Sequence, residues 1–303
     1  MPHLVKLALA GTPQQCAGIM RHLDIPASTQ LDLDFSHDVN KTSRADVLPC
    51  VRAHARAMSC SIPLRTLWLS SVEGCFTLLR IWNHDLRDQR DFNYIERTLS
   101  PRVSIRLEVF SSHIIEATVL PDFTKTLAVS ELDALRVDTW YATTSSQIWK
   151  DMLEDATQLR SVCICGPSAT GFCEAITTPV NGNLDAFLPK LQVLELRNVH
   201  FGFGMLCSED NLGDLLPQWI IQRQSQNPLS RLVITQCHIE EECVDLLKYL
   251  VELDWDGCYG EYDSDWLSEL SDENGSETDW TEEDLELAQL VHDVLEGRPV
   301  PDD

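Results

Sequence analysis

One apolar template recurs along most of this 303-residue chain: a leucine-like residue, two others, a second apolar residue, one other, and a third apolar residue. The clear copies are Leu4, Leu7, Leu9; Leu64, Leu67, Leu69; Leu132, Leu135, Val137; Leu159, Val162, Ile164; Leu191, Leu194, Leu196; Leu229, Leu232, Ile234; and Leu250, Leu253, Trp255. Weaker copies around Leu31, Leu33 and around Ile105, Leu107 fill the wide gaps. Units then start about 31 residues apart on average, just beyond the ~20 to 29 of leucine-rich repeats. Apolar residues two apart share one face of a strand, so each copy predicts a short strand, and the seven clear copies are expected side by side in one parallel sheet. The alternation also predicts that Leu194, Leu196, Leu232 and Ile234 are core while Glu195 and Val233 face the other way.

Between the strands, apolar stripes at helical spacing predict helices over Gln14 to Leu23, Arg44 to Met58, Ser146 to Leu159, Asn211 to Gln224 and Glu240 to Leu250. A strand followed by a helix, repeated many times, gives units that cannot bury their apolar faces alone. The expected fold class is therefore α/β: a leucine-rich-repeat-like solenoid over residues 1–256, with a parallel sheet on its concave side and helices on its convex side. Cys237 and Cys258 follow their strands at the point where such repeats bury a small polar residue, so both are expected to be buried.

Charge separates this body from the C-terminal segment. The chain carries 48 acidic residues against 23 Lys plus Arg, a net charge of −25. Of the acids, 19 lie beyond residue 250, with Arg298 as the single basic residue there. Residues 257–281 read as an acidic disordered linker, too charged to bury a core. Residues 282–303 read as an amphipathic helix and tail, in which Leu287, Leu290, Val291 and Val294 share a face that either caps the end of the solenoid, the favoured reading, or offers its stripe to another protein. So acidic a chain is not expected to bind nucleic acid. No apolar run reaches the ~18 residues of a membrane span. Eleven cysteines without paired spacing fit reduced thiols in the cytosol or nucleus.

The segment from Leu4 to Pro26, "LVKLALAGTPQQCAGIMRHLDIP", and the pair "LPKLQVLELRNVHF" and "LSRLVITQCHIEEECVDLLKYL" resemble the leucine-rich region of fungal, mushroom-type F-box proteins, a likeness that extends over roughly residues 1 to 255. The resemblance implies a protein that holds a target for ubiquitination. Such proteins begin with an F-box, a helical module that docks the Skp1 subunit of a cullin ligase. Here Met1 stands three residues before the first repeat leucine, so only the target-holding half is expected, with Skp1 as a partner only if an upstream F-box exists.

The catalytic and metal motifs fail on detail. "GPSATG" at Gly166 to Gly171 lacks the Lys-Ser/Thr pair of a phosphate loop and the Gly-x-Ser-x-Gly of a nucleophile elbow, and reads as a loop leaving a strand. Cys163, Cys165 and Cys173 lack a fourth zinc ligand. Asp272 to Glu283 has Glu277 where a calcium loop needs glycine. The sequons at Asn40 and Asn274 carry no signal without a secretory route.

No cofactor or metal is expected, and the chain reads as a non-enzymatic, monomeric protein-recognition scaffold. Its ligand is expected on Ala8, Trp68, Arg136, Cys163, Glu195, Val233 and Asp254, flanked by Lys6, Arg197 and Arg231, with an exposed Trp68 as anchor beside Arg136 and Arg231. The rival readings are a ligase adaptor truncated at its N-terminus, or a hydrolase or transferase acting through a loop at residues 166–183.

Overall fold

The computed structural model describes residues 4–35, 41–61, 63–72, 76–84, 101–108, 122, 124–127, 129–139, 144–177, 187–201 and 212–258. Met1–Gly260 form one compact unit and Glu261–Asp303 a second. The expected linker from residue 259 onward, the C-terminal helix and Asn40 lie outside the described residues.

The described elements of the first unit are ten strands and six α-helices. They are β1 (Lys6–Ala10), α1 (Pro13–His22), β2 (Gln30–Phe35), α2 (Lys41–Ser59), β3 (Thr66–Val72), β4 (Phe76–Trp82), β5 (Val103–Glu108), β6 (Ala134–Thr139), α3 (Ser146–Leu153), β7 (Ser161–Cys165), α4 (Ser168–Thr177), β8 (Val193–Arg197), α5 (Leu212–Arg223), β9 (Arg231–Thr235), α6 (Glu241–Leu250) and β10 (Glu252–Trp255). All ten strands join one sheet in the order β1-β2-β5-β4-β3-β6-β7-β8-β9-β10. Each predicted strand lies in this sheet, and the fold is α/β.

The sheet is only mostly parallel, which corrects the all-parallel expectation. β4 runs antiparallel to both β3 and β5. The segment Phe76–Trp82, FTLLRIW, is outside the repeat template, and it turns β3, β4 and β5 into a meander laid back toward β2. β3 consequently pairs with β6 rather than with β2.

Alternation holds where the template is clearest. Leu194, Leu196, Leu232 and Ile234 are fully buried, while Glu195 and Val233 are partly exposed. The buried strand residues share one apolar core with residues from the helices, among them Cys16, Val51, Met152, Phe172, Trp219 and Val244. The helices therefore cover one face of the sheet. Three successive strands end alike: Gly166, Asn198 and Gln236, one step past β7, β8 and β9, all adopt positive φ, as does Gly257 two steps past β10. Cys237 then turns into the core, donating its thiol to the carbonyls of Leu196 and Thr235. Cys258 does not repeat this. It is exposed, because β10 is the edge strand and no further unit packs beyond it among the described residues.

Two helical boundaries also differ from expectation. α3 ends at Leu153, although Ala156 and Leu159 beyond it are still buried. Only Gly166 and Pro167 form the expected loop: α4 starts at Ser168, directly after Pro167, and carries Cys173 into the core. A proline just ahead of a helix is a starting signal, since its missing N–H and fixed φ cost little there. Among the described residues, no helix is long and apolar enough to cross a membrane.

Candidate functional site: the helix-free face of the sheet

Strand register draws one side chain from every strand into a single line across the face that, among the described residues, the helices leave uncovered. From the β1 edge, Ala8 stands opposite Asp32, followed by Ser104, Arg80, Trp68, Arg136, Cys163, Glu195, Val233 and Asp254. All seven residues expected on this face lie on the line. Lys6 and Arg231 occupy the neighbouring line on one side and Arg197 that on the other. Asp32, Ser104 and Arg80 complete it. Asp32 sits between the apolar residues Leu31 and Leu33 of its weak template copy, so the signal was present for it; the other weak copy sets Arg106, not Ser104, between Ile105 and Leu107, and Arg80 belongs to β4 and had none.

The middle of the line is a closed polar centre. Asp138, two residues past Arg136, accepts hydrogen bonds on Oδ2 from Arg136 Nε at 2.8 Å and from Trp68 Nε1 at 2.7 Å. Trp68 is half-buried and not the exposed anchor expected. Its ring stacks on Trp82, centroids 6.1 Å apart, with the Arg80 guanidinium 5.2 Å from its centroid. Asp138, Cys163, Cys165 and Trp82 are all buried, yet Cys163, Cys165 and Trp82 stand apart from the core beneath the helices. Asp138 Oδ1 is itself buried and accepts no hydrogen bond. The sequence signal for this centre was the spacing Arg136-x-Asp138, since residues two apart on a strand share a face. Glu195 and Arg197 repeat it, with Arg197 Nε donating to Glu195 Oε1 at 2.5 Å.

Cys163 stands between Arg136 and Glu195, an arrangement that resembles an activated thiol. Its electrostatics point the other way. Burial pushes the thiol well above its ordinary range and Glu195 pushes it further, against the opposing pull of Arg136 and Arg197. Cys165 is likewise raised to about 11, mainly by burial. Both therefore remain protonated near neutral pH and lack the thiolate a nucleophile needs. Among the described residues, no three His, Cys, Asp or Glu side chains gather as a metal site.

The two flanks are more open. Toward β10, Arg231 Nη2 donates to Asp254 Oδ2 at 2.5 Å, with both side chains more than a third exposed. Toward β1, Lys6 and Asp32 pair at 2.8 Å beside an exposed Ala8. Exposed pairs of this kind contribute little stability, typically 0 to ~1 kcal/mol, so their charges can be redirected to another molecule at low cost. The chemistry available on this face is thus donor, acceptor and aromatic contact, fixed on a rigid sheet. Compared with protein-family models, with curated proteins and with solved structures, the chain matches none.

Proposed function

We propose that this protein is a non-enzymatic recognition scaffold, a leucine-rich-repeat-like solenoid that holds a protein ligand on the helix-free face of its sheet. The reading is carried by one observation, the unbroken line of side chains from Ala8 to Asp254, whose flanks present partly exposed charges beside an ordered aromatic and arginine centre. Aromatic residues and arginines on a rigid support lose little entropy on binding and are the usual anchors of protein interfaces. In this proposal the centre keeps the face in shape, while Lys6, Asp32, Glu195, Arg197, Arg231 and Asp254 meet the ligand. In this reading the protein resembles the target-holding half of an F-box adaptor.

The test is quantitative affinity purification from the source cells with the native chain and with Arg231→Glu. The proposal predicts a ligand captured by the native chain and lost with the variant, at an unchanged melting temperature. Equal capture by both chains contradicts it.

A further inference from the structure

The two edges of the sheet differ. β1 pairs only with β2, and β10 only with β9. An edge strand offers a row of backbone N–H and C=O groups to another chain, and shortness, charge or proline blunts it. β10 is blunted: it has four residues, and two copies meeting there antiparallel would set Asp254 against the partner's Asp254 and Glu252 against the partner's Asp256. β1 is not. It runs Lys6–Ala10 without proline, and its one charge, Lys6, is already paired with Asp32. Its core side is open as well: Leu7 and Leu9 are partly exposed, whereas Leu31 and Leu33, their register partners on β2, are fully buried. Val5, just ahead of the strand, is 74% exposed. On α1, Arg21 donates to the Asp46 carbonyl of α2, which marks the flank facing that helix. Ile19, two residues earlier, projects roughly 200° away around the helix and is 46% exposed.

Ladder geometry fixes which atoms face outward. The Val5 carbonyl accepts from the Gln30 N–H and the Gly11 N–H donates to the Asp34 carbonyl, so the odd-numbered residues of β1 turn their backbone groups to β2. The N–H and C=O groups of Lys6, Ala8 and Ala10 therefore point away from the sheet, where no strand follows among the described residues. An antiparallel copy of the same strand matches them. With Ala8 opposite the partner's Ala8, Lys6 stands opposite the partner's Ala10, all six groups are paired, and no like charges face each other. Leu7-Ala8-Leu9 reads the same in both directions, as a two-fold interface requires. Charge also selects this end of the sheet. Residues 4–26 carry Lys6, Arg21 and Asp24, a net +1 in a chain of −25, whereas residues 236–258 carry seven acids and Lys248. Screening over about 8 Å at physiological salt leaves that local balance dominant.

We infer that the β1 edge is the interface of a two-fold dimer of this chain, in place of the monomer expected from the sequence. The two sheets then join into one, and the line of side chains on the helix-free face runs from Asp254 of one copy to the partner's Asp254. The dimer does not depend on what that face binds. The test is sedimentation velocity of the full chain over a concentration series, which should show a reversible monomer–dimer equilibrium and nothing larger. Ala8→Pro removes an outward N–H and leaves the ladder to β2 in place. It should weaken the dimer by about tenfold or more, since the two-fold loses that hydrogen bond twice, with the far-UV circular dichroism retained. Ala8→Thr, which keeps the N–H and favours a strand, should dimerise like the native chain. Ile19→Lys, outside the sheet, should weaken the dimer several-fold and carries the test if Ala8→Pro unfolds the chain. A monomer at every concentration, a dimer indifferent to Ile19→Lys and to a folded Ala8→Pro, or masses that grow past the dimer, as open-ended pairing of β1 with the partner's β10 would give, would each overturn the assignment.

Discussion

Gly171, in the first turns of α4, passes so close to Thr144 that a Cβ built on it would lie 1.8 Å from the Thr144 carbonyl oxygen. No side chain fits there without moving backbone. The same junction joins Thr144 to Ser168 through their hydroxyls, ties Trp149 Nε1 to the Ser168 carbonyl, and packs Trp149 edge-on against Phe172. Gly171→Ala should therefore destabilise the protein by about 3 kcal/mol, the upper part of the range for overpacking a filled core. Gly18, inside α1 with open space around its position, is the control. Gly18→Ala should stabilise by roughly 0.5 to 1 kcal/mol through helix propensity alone. Urea unfolding midpoints moving in opposite directions would verify the pair, and equal midpoints would contradict it.

Asp138 holds the polar centre together, so removing its carboxylate should cost far more than removing the whole pair. Asp138→Leu takes away the acceptor of both Arg136 Nε and Trp68 Nε1 in a buried setting. Losing one partner of a buried pair costs on the order of 3 kcal/mol or more. The double substitution Arg136→Met with Asp138→Leu should recover most of that loss. A double-mutant cycle by denaturant unfolding measures the coupling, and additive effects would show that the two side chains do not act as a unit.

Much of this was legible in the chain. Leu194, Glu195 and Leu196 alternate as their strand requires, because a one-residue slip would place Glu195 in the core and expose two leucines. The seven face residues fell on one line for the same reason. The β4 insertion was not legible, since an apolar run such as FTLLRIW fits a strand of either direction, and direction depends on the length of the connections around it. α4 was hidden by Gly166 and Pro167, which signal a turn and a helix start alike. The burial of the face centre was missed because Trp68 and Arg136 were weighed singly, without Asp138 two residues on.

His54 makes stability depend on pH on the acid side. The ring is buried, with Nε2 3.0 Å from the Thr29 carbonyl oxygen, and burial lowers its pKa from 6.5 despite that hydrogen bond. The unfolded chain then binds the proton more readily than the folded one. The contribution of neutral His54 is whole above about pH 6.5 and is lost as the pH falls from there through the lowered folded value, at a slope of at most about 1.4 kcal/mol per pH unit. Unfolding free energies at pH 7.5 and 5.5 should differ less in His54→Gln than in the native protein. An equal difference in both would remove the assignment.

Thiol chemistry should sort the described cysteines by burial. Cys60 and Cys258 are exposed, whereas Cys16, Cys163, Cys165, Cys173 and Cys237 are buried, with burial raising Cys237 to about 12. Iodoacetamide at pH 8 should modify Cys60 and Cys258 in the native protein, with the five buried thiols reacting only on unfolding. Peptide mapping by mass spectrometry reads this directly. Early modification of Cys163 would contradict the closed centre of the face.

Which face meets the ligand is decided most directly by site-specific photo-cross-linking. Benzoylphenylalanine placed at Ala8 or Val233 samples the helix-free face, and at Leu246 or Tyr249, both exposed on α6, it samples the helical side. The ligand captured by the native chain should cross-link from Ala8 and Val233 and not from Leu246 or Tyr249. Cross-links confined to Leu246 and Tyr249 would contradict recognition through the sheet.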